Sequence, residues 1–224
     1  MATQFGKKVL AAEQERFDRC AGEAFGYFAL QLGMPRLDLL RACRIGSLAK
    51  VGRSARCAVR SDYSLLPFTT DSVDFIAVSH VLEFSDSPHG VLREIARVLR
   101  PGGKIALSMF NPHSLLGLKS SLDMTGEFPN RASMISLSRL KDWLSLLDFS
   151  VEGGDCSVHS AGGGRNGSAA PRWMEHAGAR WWPLAGAVIF IVACKQLPGL
   201  NILHPKWSLT RNARRVAALG RNGA

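Results

Sequence analysis

Residues 71–109 read DSVDFIAVSHVLEFSDSPHGVLREIARVLRPGGKIALSM, and this stretch decides the fold. Asp71-Ser72 is a turn pair, and Val73 to Val78 (VDFIAV) is an apolar run of strand length. His89 to Leu99 (HGVLREIARVL) places Val91, Leu92, Ile95, Val98 and Leu99 at helical spacing, which predicts an amphipathic helix. Pro101-Gly102-Gly103 stops that helix, because it cannot continue the hydrogen-bond ladder and supplies turn geometry. Lys104 to Met109 (KIALSM) is the next strand. Strand, helix, turn and strand in that order make a right-handed βαβ unit with two parallel strands.

Working upstream, residues 1 to about 24 read as a polar helical extension with Leu10, Phe17 and Phe25 as candidate contacts. Tyr27 to Leu32 (YFALQL) is a strand that ends at Gly33. Met34 and Pro35 suit the first turn of a following helix, whose apolar side is Leu37, Leu39 and Leu40. Ile45 to Val51 and Arg56 to Arg60 are two further short strands, too close together for a helix between them. Downstream, Ser138 to Leu147 (SRLKDWLSLL) is a helix with Ser138 as its N-cap. Asp148 to Asp155 and Ala187 to Lys195 form a final strand pair. Ser160 to Ala170 is Gly/Ser-rich, and residues 198–224 are a basic tail without a carboxylate. The expected architecture is α/β: a doubly wound, mostly parallel sheet with an antiparallel last strand. It spans residues 25–197 between the extension 1–24 and the tail 198–224.

Composition bounds the function classes. The chain of 224 residues is long enough for one α/β domain with a substantial core. Cysteines 20, 43, 57, 156 and 194 are scattered, with no CxxC and no Cys/His cluster, which argues against a disulfide framework and a structural metal site. The N-terminus lacks the apolar core of a secretory signal. The most apolar window, Pro183 to Cys194, falls short of the roughly 20 residues needed to cross a bilayer. These features predict a cytoplasmic protein without a membrane span. A net charge of +10 raises affinity for polyanions, so nucleic acid is a candidate partner.

The segment from Asp62 to Met109 resembles the type-11 methyltransferase domain of the class I S-adenosylmethionine-dependent methyltransferases. The resemblance rests on DYSLLPF at 62–68, on the strand opening Val73-Asp74, and on the helix ending RVLRPGG at 97–103. The whole chain is similar to a small bacterial subgroup of that family. There an FGxxxLQLG strand replaces the usual glycine-rich one, and FNPxSLxGL and RWWPxxGAV segments follow. Here these are Phe25 to Gly33, Phe110 to Leu118 and Arg180 to Val188.

The resemblance implies S-adenosylmethionine as cofactor and an unidentified methyl acceptor. In an open α/β sheet, ligands bind outside the carboxyl ends of the strands, where strand order reverses. The implied cofactor contacts are Gln31, Leu32 and Gly33 at the end of the first strand, Asp62 and Tyr63 after the third, and Ser79 after the fourth. Asp62 would accept a hydrogen bond from the adenine amino group. His80 is the candidate general base, and Glu83 and Asn111 would face the acceptor; no metal is expected. Each position also has a plain structural counterpart: Gly33 as a turn glycine, Asp62 as a turn former, His80 as a satisfied buried histidine, Asn111-Pro112 as an Asx turn. Asp74 is expected to fix a loop, and Trp181 and Trp182 to pack or form an interface.

Two family features are missing. The acidic residue and GxGxG of the first motif are replaced by Gln31-Leu32-Gly33-Met34-Pro35, so one glycine survives and the side chain at 34 crowds the cofactor. The carboxylate that ends the second strand and takes the ribose hydroxyls is also absent. Between Gly33 and Asp62 the acidic residue is Asp38, and the stretch carries Arg36, Arg41, Arg44, Lys50, Arg53, Arg56 and Arg60. Losing a charge-assisted contact costs on the order of 1.5–3 kcal/mol, so cofactor binding is expected to be weak. This leaves three functional expectations: methyl transfer from S-adenosylmethionine, a catalytically degenerate relative that binds nucleic acid or another polyanion, or an interaction module that docks through Trp173, Trp181 and Trp182.

Overall fold

The computed structural model describes residues 4–112, 135–157 and 188–197. The elements in chain order are α1 (Gln4–Gly22), β1 (Phe28–Leu32), β2 (Ser47–Gly52), β3 (Val59–Arg60), β4 (Val73–Ser79), α2 (Pro88–Val98), β5 (Leu99–Phe110), α3 (Leu137–Leu146), β6 (Phe149–Ser157) and β7 (Val188–Lys195). The strands form one seven-stranded sheet in the order β3-β2-β1-β4-β5-β7-β6. β3, β2, β1, β4 and β5 are parallel, and β7 runs antiparallel to both β5 and β6. Strand order reverses between β1 and β4, which makes the space above their carboxyl ends the topological switch point.

Both faces of the sheet are covered, as a central parallel sheet requires. Leu30, Leu32, Ile76, Val78, Ile105 and Leu107 point to one face, where Val91, Leu92, Ile95 and Val98 of α2 and Leu140 and Leu144 of α3 bury them. The alternate residues Ala29, Phe75, Ala77, Ala106 and Phe190 point to the other, against Phe17 and Ala21 of α1 and against Leu39, Leu40 and Ile45. Phe17 meets Phe190 edge-on at 5.0 Å between centroids. α1 is therefore integral to the domain. Of the expected contacts on this extension, Phe17 is fully buried but Phe25 is 79% exposed.

Three local expectations are corrected. Pro101-Gly102-Gly103 does not form a separate turn; it lies inside β5, which pairs through Leu99 with Val73 and resumes after a register shift. Gly102 absorbs the irregularity at φ +81°. The N-cap of α3 is Ser136, whose hydroxyl accepts from the Arg139 N–H, and not Ser138.

The third correction concerns the cofactor side. Residues 34–42 form successive turns and no helix. Gln31, buried at the end of β1, explains why. Its amide nitrogen donates to the carbonyls of Gly33, Met34 and Leu37 at 3.3, 3.2 and 3.0 Å, and its oxygen accepts from the Leu39 N–H at 3.0 Å. A side chain that satisfies these backbone groups removes the demand for a helical ladder. Lys50 adds a bond to the Leu37 carbonyl at 3.1 Å, and α1 ties the coil down through Gln14 to the Asp38 carbonyl at 2.8 Å and through Asp18 to Arg41.

The tail 198–224, the Gly/Ser-rich stretch, Trp173, Trp181 and Trp182, and most of the FNPxSLxGL and RWWPxxGAV segments lie outside the described residues.

Candidate functional site

A cleft of about 440 Å³ opens at the switch point, lined by Gly33, Met34 and Pro35 after β1, Arg53 and Ser54 after β2, Asp62 to Ser64 after β3, and His80, Val81 and Phe84 to Ser87 after β4. Chain ends far apart in sequence thus converge in one crevice. Two non-glycine residues in it hold left-handed backbone, Met34 at φ +41° and His80 at φ +52°. Such conformations cluster at binding sites, because surrounding structure must hold them in place.

Gly33 has φ +81°, and a Cβ there would overlap the Ser79 carbonyl oxygen and stand 2.7 Å from Val81 Cγ2. The missing side chain is thus used first by the β4 end of the protein itself, which approaches β1 closely.

Asp62 closes an Asx turn, its carboxylate accepting from the N–H and hydroxyl of Ser64 at 3.0 and 2.9 Å and pairing with Arg53. The Ser64 backbone bond, the Arg53 contact and the Ser64 hydroxyl together hold its carboxyl down at about 2. It stays 40% exposed and ionised, with acceptor capacity toward the cleft. The following LPF segment is fixed by α2. Glu94 accepts from the Leu66 N–H at 2.8 Å, and Arg97 donates to the Leu66 and Phe68 carbonyls at 3.1 and 2.9 Å. The two motifs that carry the resemblance are one hydrogen-bonded unit.

His80 is nearly buried, and both ring nitrogens are engaged. Nδ1 lies 2.7 Å from Glu83 Oε1, and Nε2 lies 2.9 Å from Glu13 Oε1 of α1. Glu83 Oε1 also accepts from the Phe110 N–H at 2.9 Å. Burial alone would lower the imidazole pKa, but the two carboxylates, by hydrogen bonding and charge, outweigh it and raise the value to about 9. Both nitrogens of the expected general base thus face carboxylates, an arrangement that favours the charged imidazolium. Both Glu13 oxygens and Glu83 Oε2 are buried without a hydrogen-bond partner, so Glu13 meets His80 as an ion pair.

The remaining expected site residues do not line the cleft. Gln31 spends its amide on the coil, and Leu32 is core. Ser79 is buried with its hydroxyl 3.2 Å from that of Ser108. Glu83 sits beneath His80, and Asn111 is buried. Asp74, at the opposite end of β4, accepts from the Tyr27 and Phe28 N–H groups at 2.7 and 3.0 Å, the loop-fixing role expected of it. Sequence reasoning missed Arg53 as a lining residue and Glu13 as the partner of His80. For Glu13 a signal existed: Val9, Glu13, Phe17 and Ala21 recur every four residues, so the acid sits on the apolar stripe of α1.

Residues 42–107 match the family described as "Methyltransferase domain". Over this stretch the chain is similar to methyltransferase domains, and it spans under two thirds of the length of the first curated relative it matches. It is 31% identical over 150 residues to the uncharacterized protein YafS of Escherichia coli (strain K12), a match covering 66% of this chain and 62% of that one. A shorter match, 37% over 71 residues, joins it to the demethylmenaquinone methyltransferase of Mycobacterium marinum and covers 30% and 29% of the two chains. In fold it resembles a SAM-dependent methyltransferase from Archaeoglobus fulgidus, with TM-score 0.60 at 19% identity over 84% of this chain and 94% of that one.

The similarity to methyltransferase domains implies S-adenosylmethionine, and the residues present fit its adenosyl part. The cleft falls within the ~300–1,000 Å³ of small-molecule sites. It has an ionised acceptor at Asp62 and apolar walls from Met34, Val81 and Phe84. The helix N-terminus that would face the cofactor is absent, because residues 34–42 are turns. The polyanion alternative gains no support from the relatives. Three cations of the basic stretch, Arg41, Lys50 and Arg53, are already paired with Asp18, Asp38 and Asp62. Among the described residues no helix is long and apolar enough to cross a membrane, and no cluster of His, Cys, Asp and Glu could hold a metal ion.

Proposed function

We propose that this chain binds S-adenosylmethionine in the switch-point cleft and transfers its methyl group to an acceptor admitted from the His80 side, in the cytoplasm. What supports the reading is the convergence of Gly33, Asp62 and His80 on one crevice in a chain similar to methyltransferase domains. The cofactor supplies an electrophilic methyl group, and the protein's part is to position the reactants. Asp62, kept ionised by Ser64 and Arg53, accepts from the adenine amino group. Gly33 and Met34 shape the floor at the end of β1, and His80 keeps the β4 end rigid through Glu13 and Glu83. Because His80 is already protonated at neutral pH, it does not activate the acceptor, and the reading favours an acceptor that is nucleophilic as it binds.

Calorimetric titration with S-adenosylmethionine tests this. Wild-type protein should bind, and Asp62→Ala should bind roughly tenfold to a hundredfold more weakly, the worth of a hydrogen bond to a charged group. No heat with wild-type protein at millimolar ligand would remove the reading.

A further inference from the structure

The carboxylate that takes the ribose hydroxyls in this family is missing, and the structure shows what stands near its place. β2 ends at Gly52. A Cβ on Gly52 would lie 2.7 Å from the Tyr63 hydroxyl oxygen and 3.1 Å from Cys57 Sγ. The phenol therefore occupies the space into which a side chain on the last residue of β2 would project. The Tyr63 ring is half-buried against the core side of the sheet, with Val51 of β2 and Leu32 of β1 in the same cluster. The phenol thus stands at the end of β2, and Tyr63 lines the cleft together with Gly33 at the end of β1.

We infer that the Tyr63 hydroxyl replaces the missing carboxylate as the group that recognises the ribose hydroxyls of an adenosyl ligand. This rests on the reading that the cleft takes such a ligand. The chemistry suits the exchange. A carboxylate only accepts, whereas a phenol accepts and donates. The phenol oxygen can offer its own proton to a ribose oxygen and a lone pair to a ribose hydroxyl. Burial pushes the phenol pKa above its ordinary value, so that proton is retained at neutral pH. The neighbouring Arg53 is held by Asp62. The exchange also explains why residue 52 is glycine: any side chain there would displace the phenol.

The test pairs a protein change with a ligand change. S-adenosylhomocysteine and its 2′,3′-dideoxy analogue are titrated into wild-type protein, Tyr63→Phe and Gly52→Ala. Wild type should prefer the diol roughly three- to tenfold, the worth of one neutral hydrogen bond. Tyr63→Phe keeps the ring in its packing and should bind both ligands equally, at the weaker affinity. Gly52→Ala, which forces the hydroxyl aside, should do the same. If Tyr63→Phe and Gly52→Ala keep the full preference for the diol, Tyr63 does not read the ribose and the inference is overturned while the cofactor reading stands. Should wild type prefer neither ligand, the inference is likewise overturned. If wild type binds neither ligand nor S-adenosylmethionine, the cofactor reading fails and takes the inference with it.

Discussion

At the residue scale, His80 is defined by its two carboxylates. Glu13 reaches it from α1 and Glu83 from the turn that follows β4. Replacing Glu13 with glutamine removes one of the two negative charges that hold the ring protonated. The imidazole pKa should then fall from about 9 toward its ordinary 6.5, as an NMR titration of His80 would report. A titration unchanged in Glu13→Gln would show that the contact with α1 does not charge the ring. Gly33 is constrained more simply, by φ +81° and by the Ser79 carbonyl. Gly33→Ala should cost about 1–3 kcal/mol in urea denaturation, from left-handed strain and displacement of the β4 end. A stability equal to wild type would show that the strand ends have room to part.

Elements carry the next level of the account. The coil after β1 stands where the family places a helix, and its conformation depends on one side chain. Gln31→Leu should remove the side-chain bonds to the Gly33, Met34 and Leu37 carbonyls and to the Leu39 N–H, while Met34 and Leu37 keep their bonds from the Leu37 N–H and from Lys50. We expect a loss of roughly 2–4 kcal/mol, from several hydrogen bonds at about 1 kcal/mol each. Hydrogen exchange should quicken at Leu39, and unaltered exchange there would contradict this role. Much of the element level was legible in the sequence. Val73 to Val78 and Lys104 to Met109 are uninterrupted apolar runs, and α2 shows its apolar spacing and its terminating proline. What escaped reading depends on single polar side chains acting at a distance. A lone glutamine inside YFALQL was the sign that a polar group would be buried at the end of β1, but not that it would dissolve a helix. Ser136 and Ser138 are equally good caps by type, and it is the Ser136 hydroxyl that accepts from the Arg139 N–H.

For the whole molecule, the sheet explains why a site assembles at all: five parallel strands send their carboxyl ends to one edge, and the reversal between β1 and β4 opens it. The site was half legible. Gly33, Asp62, Tyr63 and His80 line the cleft, as their position at strand ends suggested. Gln31, Ser79, Glu83 and Asn111 share those ends but turn inward, which strand position alone does not reveal. Global stability should carry the mark of His80. A folded pKa near 9 against an unfolded value near 6.5 stabilises the protein fully below pH 6.5, and that contribution is lost as pH rises through about 9. The urea midpoint should fall across this window in wild type and change less in His80→Gln; equal slopes would show that the buried cluster does not govern the pH response. The central claim is that one crevice at the switch point holds the adenosyl group. A crystal structure with S-adenosylhomocysteine tests it most directly. The account predicts the adenine against Asp62 and the sulfur toward His80. A ligand bound elsewhere, with Met34 and Tyr63 filling the crevice, would contradict it.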